Sequence, residues 1–162
     1  MKKIVLLLFV FLLLGCEKDD ICDANTTTTP LLKIDFYING SIATPKKVTK
    51  LEVKENGTLV VYKNFDGVSS ISIPLKTTVG ETVYDFTLNK GTTTEKIDVV
   101  KFSYSTKDVF VSRACGFKKA FDLTNTNSLA GFVTPIPAQW IADVQIVKNN
   151  IENNETHIKI FF

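Results

Sequence analysis

The side chains with the most distinctive chemistry are three cysteines, Cys16, Cys22 and Cys115, and the single histidine, His157. A catalytic thiol needs a nearby histidine and a group that orients it, and a soft-metal site needs more than two such ligands. The sequence has no CxxC pair and no paired histidines. His157 lies in an alternating strand pattern, which favours a solvent-facing position. The cysteines therefore favour covalent linkage, with a metal site and a catalytic thiol as the alternatives.

The first fifteen residues form a separate element. Lys2 and Lys3 precede an unbroken apolar run of eleven residues, Ile4 to Leu14. A helix needs about 20 apolar residues to cross a bilayer, so this run is too short to span one. It fits the apolar region of a secretory signal peptide. Residues 1–15 are therefore predicted to be a signal peptide.

Residues 13–16, Leu-Leu-Gly-Cys, resemble the lipobox of bacterial lipoproteins. In that family a small residue precedes the cysteine that becomes the new N-terminus. The cysteine thiol receives a diacylglycerol and the new amine receives a further acyl chain. Two or more acyl chains anchor a protein stably to a membrane. The resemblance implies lipidation at Cys16, and with it an outer-membrane location.

The run Lys18, Asp19 and Asp20 directly follows this motif. It resembles the surface-export signal of Bacteroidota lipoproteins, which are moved to the outer face of the outer membrane. The resemblance implies a cell-surface location, with the periplasmic face as the alternative. A solvated tether is the simpler interpretation of the charges. Residues 16–30 are polar and Thr-rich and are predicted to be a lipidated tether.

Cys22 and Cys115 remain if Cys16 carries lipid. An even pair of cysteines in an exported chain indicates a disulfide. Such a bond would close a loop of roughly 90 residues and stabilise the fold by up to about 4–5 kcal/mol in the chain-entropy model.

Residues 31–162 are predicted to form one β-sheet domain. The chain is 44% hydrophobic and contains 12 phenylalanines, and aromatic and β-branched residues favour strands. Without the first fifteen residues it carries 17 basic and 17 acidic side chains. A neutral domain gives no electrostatic case for nucleic acid as a partner.

Alternation and turn signals place the strands. Asn56-Gly57 between two apolar runs predicts a hairpin, and Pro74 predicts an edge strand because it lacks an N–H. The alternation slips near Val99-Val100, which predicts a β-bulge. Eight or nine short strands predict an immunoglobulin-like antiparallel β-sandwich, with a small β-barrel as the alternative.

Two residues are candidates for contact with a ligand or partner. Arg113 falls on the predicted inner face of a strand with Val109, Val111, Cys115 and Phe117, where a charged group needs a partner. Trp140 follows a long Asn-, Gly- and Pro-rich loop, residues 124–139, and long loops often carry binding sites. The simpler interpretations are a structural arginine and a core tryptophan.

Three segments, CEKDDICD, VSRACGFKK and ENNETHIKIFF, resemble the short, uncharacterised lipoproteins of Bacteroidota. The resemblance extends over nearly the whole chain. It implies a cellular location and a fold, and it implies no mechanism.

No reaction is predicted. The sequence lacks a G-x-S-x-G elbow, an HExxH motif, a Gly-rich phosphate loop and a cluster of His with acids. A glycosidase with two distant carboxylates stays open, because such pairs are not local in sequence. The chain is predicted to be a non-catalytic accessory or interaction module without a cofactor. Its expected partners are the membrane, through the lipid anchor, and an integral outer-membrane barrel protein. The alternative is a glycan or small-ligand binding module at the cell surface, with Trp140 and Tyr37 as aromatic platforms.

Overall fold

The computed structural model describes residues 21–23, 26, 28–41, 44–134 and 138–162. The predicted signal peptide, Cys16 and the run Lys18, Asp19 and Asp20 lie outside the described residues. In chain order the strands are β1 (Leu32–Tyr37), β2 (Leu51–Glu55), β3 (Val61–Phe65), β4 (Ser70–Ile73), β5 (Glu81–Leu88), β6 (Lys96–Ser112), β7 (Gly116–Leu123), β8 (Val133–Thr134), β9 (Asp143–Ile146), β10 (Asn150–Ile151) and β11 (Ile158–Phe161). One single-turn helix, α1 (Leu129–Phe132), precedes β8.

The strands form two sheets. The smaller sheet has the order β4-β1-β11-β9, and the larger, curled sheet has the order β10-β7-β6-β5-β2-β3, with β8 also paired to β6. The prediction of an all-β sandwich is confirmed, but the described residues form eleven strands instead of the eight or nine predicted, because short pairs such as β8 and β10 have only two residues each. One pair departs from the antiparallel pattern, because β1 and β11 run parallel. This pairing joins the two ends of the domain, and periodicity within one strand cannot reveal it, since it carries no information about strand direction.

The core lies between the two sheets. The inward series Leu32, Ile34 and Phe36 on β1 is fully buried, as the alternation predicts. Facing it, β5 and β6 contribute Phe86 and Phe102, whose ring centroids lie 6.4 Å apart. Five phenylalanines are among the largest fully buried side chains, and each such ring buries about 150–250 Å². The frequent phenylalanines therefore serve this core.

The turn and edge predictions are confirmed. Asn56-Gly57 lies between the paired strands β2 and β3, with Gly57 at φ +73°, in the left-handed region that glycine favours. Pro74 directly follows β4, which lies at the edge of the smaller sheet. Tyr84, on the other sheet, donates its hydroxyl hydrogen to the Pro74 carbonyl oxygen at 2.8 Å. Burial raises the pKa of Tyr84 to about 12, so the hydroxyl keeps its proton, and with it this link between the sheets, even in mildly alkaline solution.

The predicted bulge near Val99-Val100 is wrong. The pairing of β5 with β6 is continuous from Glu81 opposite Ser103 to Leu88 opposite Lys96. The inward series on β6 begins at Asp98, which is fully buried, whereas Ile97 is exposed. The side chains of β6 therefore alternate regularly between the two faces. The pattern of apolar residues is interrupted because a carboxylate, Asp98, occupies an inward position that an apolar residue would normally fill.

Candidate interaction site on the tethered hairpin

Strands β6 and β7 form a long hairpin that exposes two phenylalanines at its end. Strand β6 has 17 residues, but its pairing with β5 ends at Ser103. Beyond that point it pairs only with β7, from Tyr104 opposite Leu123 to Ser112 opposite Gly116. Gly116 has φ +69°, a conformation that glycine adopts without steric cost, and this allows the tight turn. We call residues 110–117 the hairpin tip.

A disulfide joins the hairpin tip to the start of the described chain. Cys22 and Cys115 are bonded, with their Cα atoms 4.9 Å apart, so the predicted disulfide is confirmed. A little further along the hairpin, the Lys119 backbone N–H donates to the Thr29 hydroxyl at 3.1 Å. The predicted tether is therefore held against the hairpin at two points, and its last residue, Pro30, is buried.

Two phenylalanines of the tip are exposed to solvent. Phe110 and Phe117 are directly opposite in the ladder, with ring centroids 5.4 Å apart in an edge-to-face arrangement. They are 58% and 67% exposed. Sequence reasoning placed Phe117 on an inner face with Val109, and this is wrong. Val109 pairs with Lys118, because the register shifts between Phe110 and Ser112 and the turn changes the phase of the alternation.

Charged side chains along the hairpin neutralise one another. Lys107 contacts Glu152 at 2.6 Å and Asp122 at 3.7 Å, and Lys119 contacts Asp108 at 2.8 Å. The hydrogen bond to Glu152 raises the pKa of Lys107, and the same bond lowers the pKa of Glu152. These pairs are exposed and contribute little to stability. Lys118, which adjoins Phe117, instead donates to the Glu152 carbonyl oxygen at 3.4 Å.

Arg113 lies in the turn that closes the hairpin and is exposed. It does not lie in the core, because the chain turns before Arg113 can continue the inward alternation of β6. Within the described part of the chain, no acidic side chain forms an ion pair with it. Arg113 thus presents its charge at the same tip as the two phenylalanines.

Trp140, the other predicted contact residue, lies in the core and is 8% exposed. Its indole N–H donates to the Phe86 carbonyl oxygen at 3.1 Å, and its ring meets Phe162 edge to face at 5.2 Å. An edge-on, buried ring presents no open face for a sugar to stack upon. Tyr37, the second aromatic platform, is half-buried with the Lys159 ammonium 4.9 Å from its ring centroid.

Asp98 fixes the segment that contains Trp140. Its two carboxylate oxygens accept three backbone N–H groups, from Gln139 at 2.6 Å and from Trp140 and Ile141 at 2.9 Å each. Sequence reasoning missed this role, although the interrupted alternation around Asp98 was the signal. These bonds satisfy the buried carboxylate and hold the backbone of residues 139–141 in place.

A cleft of about 580 Å³ opens beside the edge of Trp140, within the range of about 300–1,000 Å³ that is usual for small-ligand sites. Lys46, Lys47 and Lys96 contribute to its walls. The Lys46 ammonium already donates to the Phe162 carbonyl oxygen at 2.7 Å and lies 4.0 Å from the Phe162 ring centroid. The cleft is therefore positively charged, with one of its three ammonium groups hydrogen-bonded to Phe162.

His157 is fully buried, so its predicted solvent-facing position is wrong. Its backbone N–H donates to the Lys33 carbonyl oxygen at 3.0 Å, and its Nδ1 accepts the Lys33 N–H at 3.1 Å. The parallel pairing of β1 with β11 draws this side chain inward to close the backbone ladder. Burial lowers the pKa of His157; Glu155 opposes this effect, and Lys148 and Lys33 reinforce it. The imidazole is thus neutral and structural near pH 7.

The metal-site and free-thiol alternatives concern the cysteine, histidine and acidic side chains of the described residues. They bring together no group of three or more His, Cys, Asp or Glu side chains that could hold a metal ion. Both described cysteines are bonded to each other. Among these residues, no helix has the length and apolar character needed to span a membrane.

These features define a class: a two-sheet β-sandwich whose long hairpin is bonded to an N-terminal segment. The chain belongs to a family of unknown function, DUF6452, whose model matches residues 46–162. The match includes β2 to β11 and Cys115, and begins after the tether and β1. No curated protein and no solved structure matches the chain.

Proposed function

We propose that the protein is a non-catalytic outer-membrane lipoprotein of the Bacteroidota type, anchored through Cys16, and that it is an accessory or interaction module of an envelope complex. The observation that carries the proposal is the Cys22–Cys115 disulfide. Such bonds form in oxidising, exported compartments. This one fixes the folded domain six residues downstream of the lipobox cysteine.

A second observation supports an interaction role. Strand β3 is an edge of the larger sheet, and the segment that leads into it is apolar and exposed. Leu59 is 95% exposed and Val60 is 60% exposed. An exposed edge with apolar side chains is a template for pairing with another chain. An integral outer-membrane barrel protein is the partner that a lipid-anchored module would meet at the membrane.

Crosslinking in intact cells, followed by mild-detergent purification, tests the partner. We expect a discrete adduct with a barrel protein, and Leu59→Ser should weaken it. Val147→Ser is the matched control, because Val147 is also exposed and apolar but adjoins β9 on the other sheet. Recovery of monomer alone under all crosslinking conditions would contradict the interaction role.

Protease treatment of intact cells tests which face of the outer membrane carries the domain. The run Lys18, Asp19 and Asp20 supports the outer face of the membrane, so a tag on the domain should be digested. A protected tag would place the domain in the periplasm and remove the surface-export interpretation.

Binding of a small anionic ligand is the second candidate function, and the basic cleft beside Trp140 is the observation that favours it. A ligand there would lie against the edge of Trp140, the only tryptophan in the chain. Titration with acidic and neutral glycans should then change the tryptophan fluorescence with acidic members only, and Lys96→Ala should weaken the response. Unchanged fluorescence across the panel would remove this candidate.

A further inference from the structure

We propose that the hairpin tip contacts the lipid surface itself, with Phe110 and Phe117 at the level of the headgroups. The inference rests on the proposed lipid anchor at Cys16. It goes beyond that anchor by assigning a second membrane contact, made by the folded domain. It also sets the orientation of the domain, because the hairpin would then point toward the membrane.

The covalent path limits how far the tip can lie from the anchor. Six residues separate Cys16 from Cys22, and a chain of that length spans at most about 20 Å when extended. The disulfide then brings Cys115 to a Cα–Cα distance of 4.9 Å from Cys22. The tip therefore stays within about 25 Å of an acylated Cys16, counting that extended length. No other part of the described domain is bonded so close to the anchor.

The composition of the tip suits the interface between lipid and water. Phenylalanines on an exposed apolar face lie at the boundary between the headgroups and the acyl chains, and arginine extends its apolar stem while its charge remains among the headgroups. Phe110 and Phe117 are exposed, whereas Phe121, which lies on β7 with Phe117, is fully buried in the core. Arg113 lies in the turn between the two strands of the tip. Val109 and Lys118 follow the rings, and the next pair in the ladder, Asp108 and Lys119, forms an ion pair at 2.8 Å.

The small size of the tip favours lipid over a protein partner. A stable protein interface buries at least about 1,000 Å² with close shape complementarity. A two-strand turn that presents two rings offers far less contact area. The headgroup layer is deformable and accepts exposed aromatic rings without a matching pocket. Arg113 adds a positive charge at the tip, so attraction to anionic headgroups should contribute to the contact and should weaken as the salt concentration rises.

Photocrosslinking in intact cells tests the contact. Phe117→p-benzoylphenylalanine in the full-length protein should yield lipid adducts on irradiation. The matched control is Ile97→p-benzoylphenylalanine, because Ile97 is exposed and apolar on the same strand as Phe110. It lies roughly 40 Å away from Phe110 along that strand. We expect several-fold more lipid adduct at position 117 than at position 97.

Acylation of each variant is measured in parallel by mass spectrometry of the N-terminal peptide. If Cys16 is acylated but position 117 gives no lipid adduct, or only a protein adduct, the membrane contact is wrong and the anchor stands. If Cys16 carries no lipid, the proposed anchor itself is wrong. Phe110→p-benzoylphenylalanine repeats the test from the opposite strand, and a lack of lipid adduct at either position would overturn the inference.

Discussion

At the scale of single residues, Asp98 organises the segment that follows the long loop. Its carboxylate accepts the backbone N–H groups of three consecutive residues, 139–141. One of those residues is Trp140, which packs against Phe36 and Phe162. A single charged side chain in the core thus holds in register the residues that join the loop to strand β9.

Replacement of Asp98 by asparagine should be costly. The amide group of Asp98→Asn would direct an N–H toward a backbone N–H donor, so at least one buried donor would lose its acceptor. We expect the free energy of unfolding to fall by about 3 kcal/mol, and Trp140 fluorescence to shift to the red. Urea unfolding measures the loss. Asp108→Asn, an exposed position on the same strand, should change stability by less than about 0.5 kcal/mol, and equal effects of the two variants would contradict the role of Asp98.

His157 should make stability depend on pH. Burial lowers its pKa below the value of about 6.5 that histidine has in an unfolded chain, and protonation of Nδ1 would also break the bond from the Lys33 N–H. The sign follows from linkage. The stabilisation from neutral His157 is fully present above pH 6.5 or so, and is lost as the pH falls through the folded-state pKa.

The free energy of unfolding should therefore fall less between pH 7.5 and pH 5 for His157→Asn than for the wild type, as measured by urea unfolding at each pH. Asparagine offers an acceptor near the position of Nδ1 and does not titrate. Glu152 and Glu155 remain in both proteins, and their pKa values are lowered from a carboxyl range that already lies below this pH window. If stability depended on pH identically in the two proteins, His157 would not be the source of the pH dependence.

At the scale of elements, the hairpin depends on its bond to the tether. The closed loop has a sequence separation of 93 residues. The double variant Cys22→Ser/Cys115→Ser should lose up to about 4.5 kcal/mol by the chain-entropy model, measured by urea unfolding. A reductant should destabilise the wild type and leave the variant unchanged. A wild type whose stability ignores the reductant would show that the bond is absent or without effect.

Sequence reasoning predicted the elements whose signals are local. Alternation placed the buried face of β1, Asn56-Gly57 placed the β2–β3 hairpin, and Pro74 marked an edge. It failed where a side chain is positioned by a distant partner. His157 was assigned to solvent because its partner, Lys33, is 124 residues away in the chain.

The candidate site was only partly visible in the sequence for a related reason. The disulfide could be predicted because two cysteines remain in an exported chain once Cys16 is assigned to lipid. The exposure of Phe110 and Phe117 depends on β6 extending past β5 and on the register of the turn. Neither property follows from alternation within one strand, and so the sequence placed Phe117 on an inner face.

At the scale of the whole molecule, the protein has a sandwich body and a hairpin bonded to the segment that would lead to the membrane. The ends of the body are joined by the parallel pairing of β1 with β11, so the domain closes upon itself. The apolar segment before β3 and the basic cleft beside Trp140 are separate surfaces of that body. A short anchor would hold all of these surfaces near the bilayer and favour partners located there.

The most direct test of the lipid-anchored arrangement is mass spectrometry of peptides from the purified, non-reduced protein extracted from membranes. We expect an N-terminal peptide that begins at Cys16 and carries acyl chains, and a peptide containing Cys22 that is joined to one containing Cys115. Cys16→Ser should abolish the acyl mass and leave the disulfide intact. An unmodified Cys16 within a longer chain would contradict the lipid anchor, and an unbonded Cys22 would contradict the connection between the anchor and the hairpin.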